Sequence, residues 1–148
     1  MKSLFIGEQI ALTLWVGGMW IIGYVVAPLL FKSLDDRMLA GNLAGQLFTI
    51  MSYIGLVCAL LLLSGQLASL GGEVLRAWRF WLLLAMLAVL LVGQFVLQPM
   101  MAELKAAGLD GENAARFGRL HGVASILFLF NSLAGLALVV AGLRATQA

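Results

Sequence analysis

AWRFWLLLAMLAVLLVGQFVLQPMM, residues 77–101, carries no charged side chain from Phe80 to its end. A helix needs about 20 mostly apolar residues to cross the hydrocarbon core of a bilayer, where each backbone polar group must be bonded within its own segment. This stretch meets that requirement. Three others do so as well, residues 4–31, 43–70 and 120–143, in which Glu8 and His121 are the only ionisable groups of Asp, Glu, Lys, Arg or His type. The reading is an all-α integral membrane bundle of four transmembrane helices, one domain over residues 1–148.

Composition agrees. Of 148 residues, 63% are hydrophobic and 11% charged, with a mean hydropathy of +1.05, too apolar for an ordinary water-facing surface. The nine Lys and Arg are scattered, which excludes a nucleic-acid surface. A single cysteine, Cys58, excludes an intramolecular disulfide and reads as a packing residue. The first apolar run is too long for a signal-peptide core and is taken as retained.

Four spans put both termini and the link 71–76 on one side, and the links 32–42 and 102–119 on the other. The positive-inside comparison is Lys2, Arg76, Arg79 and Arg144 against Lys32, Arg37, Lys105, Arg116 and Arg119, which is nearly even. The acids Asp35, Asp36, Glu103, Asp110 and Glu112 crowd the loop side, so the termini are assigned to the cytoplasm. Short links and an Ala/Leu/Gly-rich chain point to a bacterial inner membrane. Trp78, Trp81 and Phe5 are expected at the terminal-side interface, Trp15 and Trp20 as packing between helices.

Polar residues inside spans should face protein or water. Gln9, Thr13, Gly17, Trp20, Tyr24 and Pro28 fall within an arc of about 100° on span one. Asn42, Gln46, Thr49 and Tyr53 share one face of span two, and Gln94 and Gln98 lie one turn apart in span three. Span four opens with His121, Gly122 and Ser125 and continues to Asn131 and Ser132. Most of these lie in the loop-side half of the membrane. They are expected to form a polar pocket there, lined by His121, Gln98, Tyr24, Tyr53, Gln46, Asn42, Gln94, Ser125 and Asn131, that binds or helps to move a small ligand. Small residues such as Gly17 and Gly122 are expected to let helices approach. The other reading makes these groups interhelical fasteners of a structural or assembly protein, or of a surface that recruits a partner subunit or a second copy. Glu8, in the other half, is expected to snorkel to the surface.

Pro28 and Pro99 sit near the same-side ends of spans one and three, the pattern of a repeated hairpin. Catalytic templates fail: one His and one Cys build no zinc site, and no HExxH, CxxC or phosphate loop is present. No catalytic or metal residue is assigned. Haem or copper at His121 ranks last.

The strings Trp15-Val-Gly-Gly-Met-Trp20, Ala27-Pro28-Leu-Leu-Phe31, Gln98-Pro99 and Phe117-Gly-Arg-Leu-His121-Gly-Val-Ala-Ser125, with Asn131 after them, resemble the transmembrane protein 205-like family. Its members are four-span proteins of bacteria and eukaryotes. The resemblance implies that Pro99, His121, Gly122, Ser125 and Asn131 belong to the recurring pattern. The animal member's association with platinum-drug resistance implies transport or trafficking. A more distant resemblance runs to the copper-resistance D and HemJ-like proteins, which carry a His seven residues before the Trp of span one. Here that place is Glu8, so haem or copper binding by the same means is not implied.

Overall fold

The computed structural model describes the backbone of residues 2–145 and the side chains of 6–143. The expected interfacial ring of Phe5 and the charges of Lys2 and Arg144 lie outside the described side chains. The architecture is all-α, and the four segments Ile6–Ser33, Arg37–Arg76, Trp78–Ala107 and Gly111–Leu143 are each long and apolar enough to cross a membrane. The protein is membrane-embedded.

Span one consists of α1 (Lys2–Ile21), a π-turn (Ile22–Val26) and α2 (Ala27–Ser33). Span two is α3 (Arg37–Leu70), followed by a 3-10 turn at Gly71–Arg76. Span three repeats the first in plan: α4 (Trp78–Val92), a π-turn (Gly93–Leu97) and α5 (Gln98–Ala107). Span four is the single helix α6 (Gly111–Ala145).

The two π-turns have the same cause. Pro28 and Pro99 cannot donate to the carbonyl four residues back, and their rings crowd it, so the preceding turn widens. Ala27 N–H then bonds the carbonyl of Ile22, and Gln98 N–H that of Gly93, each five residues back. Both prolines stand in the first turn of the α-helix that follows. The expected parallel between spans one and three thus extends from the prolines to the backbone around them.

The links on the loop side are shorter than their polar composition implies. Asp36 caps α3, its carboxylate accepting from Met38 N at 2.8 Å and Leu39 N at 3.1 Å, so the helix starts well before the apolar run. Between α5 and α6 the turn is made by Gly108 and Gly111, at φ of 97° and 45°, conformations that favour glycine.

Span one packs on spans two and four, and span three packs on the same two. This is an up-and-down ring of antiparallel neighbours. Its core is Leu12, Trp15, Val16 and Met19 from span one, with Met51, Ala59, Leu62, Leu83, Met86, Leu90 and Leu138 from the others. Trp15, 1% exposed, is the largest fully buried side chain. It fits because Gly55 has no side chain where the indole lies.

Candidate functional site

The loop-side half holds real connections between spans, though not one convergent pocket. Tyr24 Oη and Ser132 Oγ are 2.7 Å apart, joining span one to span four. Ser132 Oγ also donates to the Leu129 carbonyl at 3.0 Å, so the Tyr24 hydroxyl donates to Ser132. Trp20 Nε1 donates to the Ser132 carbonyl at 3.2 Å. The rings of Trp20, Tyr24, Phe128 and Phe48 follow one another at centroid separations of 5.0, 5.7 and 5.3 Å. Below them, Asn131 Nδ2 donates to the Met86 carbonyl at 3.3 Å, tying span four to span three. Its Oδ1 is buried without a hydrogen-bond partner.

Other expected pocket residues stand apart. Gln46, Tyr53, His121 and Ser125 are exposed on the outside of the bundle, Tyr53 to 51%. Ser125 Oγ donates to the His121 carbonyl at 2.8 Å, within its own helix. Gln94 and Gln98 are half-buried, and Gln94 Oε1 has no hydrogen-bond partner. Gly17 and Gly122 face open space, whereas a methyl group at Gly135 would meet Val16 at 2.6 Å.

His121 does connect to Asn42, through two residues that the sequence did not single out. Lys105 Nζ donates to Asn42 Oδ1 at 3.4 Å and lies 5.6 Å from the centre of the Phe117 ring. Phe117 in turn stacks on His121 at 6.1 Å with 9° between the planes. This string joins α3, α5 and α6 at the loop-side rim.

The densest polar group lies at the opposite end. Glu8 and Gln9 of α1, Gln66 of α3 and Arg79 of α4 line one cavity of about 30 Å³ with Leu12, Leu62, Leu83 and Leu138. Glu8 does not snorkel, as expected from sequence, but turns inward. Its carboxylate rests on Gly65, and the carboxamide of Gln9 rests on Gly142, in each case where a Cβ would stand. Adjacent residues on a helix point about 100° apart. With span one between spans two and four, one of the pair therefore faces each neighbour. Oε1 of Glu8 and Oε1 of Gln66 are buried with no hydrogen-bond partner. Arg79 acts on Glu8 through space without forming a contact ion pair. The arrangement offers negative charge and oxygen ligands to a guest about the size of a water molecule.

A family model described as a domain of unknown function, DUF4149, matches residues 10–110. The chain belongs to the DUF4149 family. The match covers span one from Ile10 onward and spans two and three, and takes in Gln66 and Arg79 of the cavity lining but neither Glu8 and Gln9 nor the segment around His121. No curated protein and no solved structure matches the chain. DUF4149 membership fits an uncharacterised membrane family and names neither the transmembrane protein 205-like nor the copper-resistance D and HemJ-like proteins.

Sequence reasoning missed the socket because it ranked polar residues by number in each half of the membrane. Two signals pointed to it. Glu8 is the one acid inside a span, and Gln66 and Arg79 lie at its depth beside a glycine.

Proposed function

We propose that this protein binds a small ligand in the polar interior of its bundle and helps to move it, with the Glu8 socket as the binding site. The observation that carries the reading is the buried Glu8 Oε1, an acceptor with no donor, inside a cavity to which three spans bring polar groups. Glu8 is half-buried, and a carboxylate turned toward apolar helices carries a desolvation cost unless it is used or paired, whereas helix-fastening needs no charge. The inner membrane of a bacterium, with cytoplasmic termini, is the proposed location. Kinship with the transmembrane protein 205-like family, on the strings around Trp15, Pro99 and His121, is part of the same reading.

The test is chemical. A hydrophobic carbodiimide applied to the protein in bilayers should modify Glu8, read by peptide mass spectrometry. Modification of exposed Glu103 with none at Glu8 would show a sealed packing residue and end this reading.

A second reading keeps the ligand at the loop-side rim, supported by the string from Asn42 through Lys105 and Phe117 to His121. There an imidazole accessible from outside the bundle would meet a ligand or a metal centre brought by a partner subunit. Ligand binding that survives Glu8→Gln and is lost in His121→Gln would select it.

A further inference from the structure

Two acceptors, Oε1 of Glu8 and Oε1 of Gln66, are buried beside the same small cavity without donors. Gln9 is a further polar residue of its lining. The one ion pair at contact distance among the described residues is Arg76 with Glu73, at 3.1 Å, and it lies in the exposed 3-10 turn. Arg79 therefore faces Glu8 without neutralising it at close range. Among the described residues, no charged side chain other than Glu8 and Arg79 lines this cavity. Span two contributes Gly65 and Gln66, span four Leu138 and Gly142, and His121 belongs to the far half of the bundle.

We propose that the socket is a binding site for a small hard monovalent cation of the sodium class, which takes the Glu8 carboxylate in exchange for Arg79. This rests on the Glu8 reading above and names its ligand. Hard cations prefer oxygen ligands, and the Glu8 carboxylate with the Gln66 carboxamide oxygen supplies them at a net charge of minus one. Among the described residues no group of three His, Cys, Asp or Glu exists to hold a more highly charged metal. The volume of about 30 Å³ has room for a guest of about water size, since about 10–15 Å³ suffices for one water, and so for a small cation.

Arg79 is built to leave. It is half-buried, in the first turn of α4, where a long basic side chain reaches the interface while its stem stays on apolar surface. Its Cζ stands 5.9 Å from the Trp78 ring, and Trp78 is exposed. The guanidinium already stands beside that outer ring, off the carboxylate, and leaves the contact position to the cation. The carboxylate thus keeps one positive partner in both states, and no uncompensated charge is left in the bundle.

The experiment follows carbodiimide modification of Glu8 in the purified full chain in bilayers, in sodium chloride against choline chloride at equal ionic strength and fixed pH. Sodium is expected to slow modification of Glu8 relative to Glu103. Arg79→Gln, which removes the competing charge, should bring half-protection to roughly tenfold less sodium. Gln66→Leu should leave Glu8 reactive and unprotected. Monodisperse elution and helical circular dichroism check that each variant is folded. Equal rates in sodium and choline, or full protection in Gln66→Leu, would overturn the cation assignment while leaving Glu8 a reachable ligand site. Absence of any modification at Glu8 would overturn both.

Discussion

Tyr24 and Ser132 meet hydroxyl to hydroxyl at 2.7 Å across spans one and four, Tyr24 standing within the π-turn that Pro28 imposes on span one. Ser132 is completely buried, so its hydroxyl has no lipid or water to turn to. Interhelical hydrogen bonds in membranes average about 0.6 kcal/mol, because the separated helices also find partners. Tyr24→Phe and Ser132→Ala should each cost about 0.5–1.5 kcal/mol, and the double variant less than their sum. A double-mutant cycle on reversible unfolding in mixed micelles measures this. Strict additivity would show that the pair is not coupled.

The Glu8 carboxylate rests on Gly65 and the Gln9 carboxamide on Gly142. Gly65→Ala and Gly142→Ala displace only the ends of the flexible Glu8 and Gln9 side chains and should each cost less than about 1 kcal/mol, whereas Gly55→Ala, which meets the buried Trp15 indole, should cost about 1–3 kcal/mol through overpacking. Gly17→Ala provides the contrast, since open space surrounds that position and alanine is the better helix former by about 0.5–1 kcal/mol. Thermal unfolding of Gly55→Ala and Gly17→Ala should therefore move in opposite directions. A Gly55→Ala protein as stable as the parent would mean that Trp15 is not held against that glycine.

Trp15 is packed among Leu12, Met51, Leu83 and Met86 in the one core of the bundle. Trp15→Ala should cost about 3–5 kcal/mol, since neighbouring helices only partly fill such a cavity. Trp78→Ala, on an exposed ring, should cost less than 1 kcal/mol. Comparable losses at both positions would contradict the packing described above.

His121 lies on the outside of α6, its ring against Phe117. His121→Gln should leave stability within about 0.5 kcal/mol of the parent, while removing any metal-dependent property that relies on this sole imidazole. Chemical unfolding and a metal titration, run on the same preparations, separate the two effects.

Topology is tested independently of the site. Reporters fused after Ala148 and within the turn at Gly108–Asp110 should report opposite sides of the membrane, because one complete span, Gly111–Leu143, lies between them. Reporters on the same side would remove the four-span arrangement.

The number of spans, their helical class and their approximate limits were legible in the chain itself, because lipid demands an unbroken apolar helix at each crossing. Pro28 and Pro99 marked places where the helices would be disturbed, and the sequence could say no more than that. Whether a turn kinks, breaks or widens into a π-turn depends on what the loosened carbonyls and side chains meet nearby.

The facing of individual polar groups was decided by docking. Ser125 and Ser132 are seven residues apart and so lie on nearly the same line of α6, yet Ser132 is buried and Ser125 exposed. The difference is set by which neighbours stand at each depth, which periodicity does not contain. Glu8 shows the same in reverse. From the sequence it was one acid near a helix end, free to reach the surface. Only the close approach of spans one and two at Gly65, and of spans one and four at Gly142, turned it and Gln9 into the bundle, where Gln66 and Arg79 complete the socket. Helix periodicity determines which residues share a face, and the packing of four helices against one another determines where that face points.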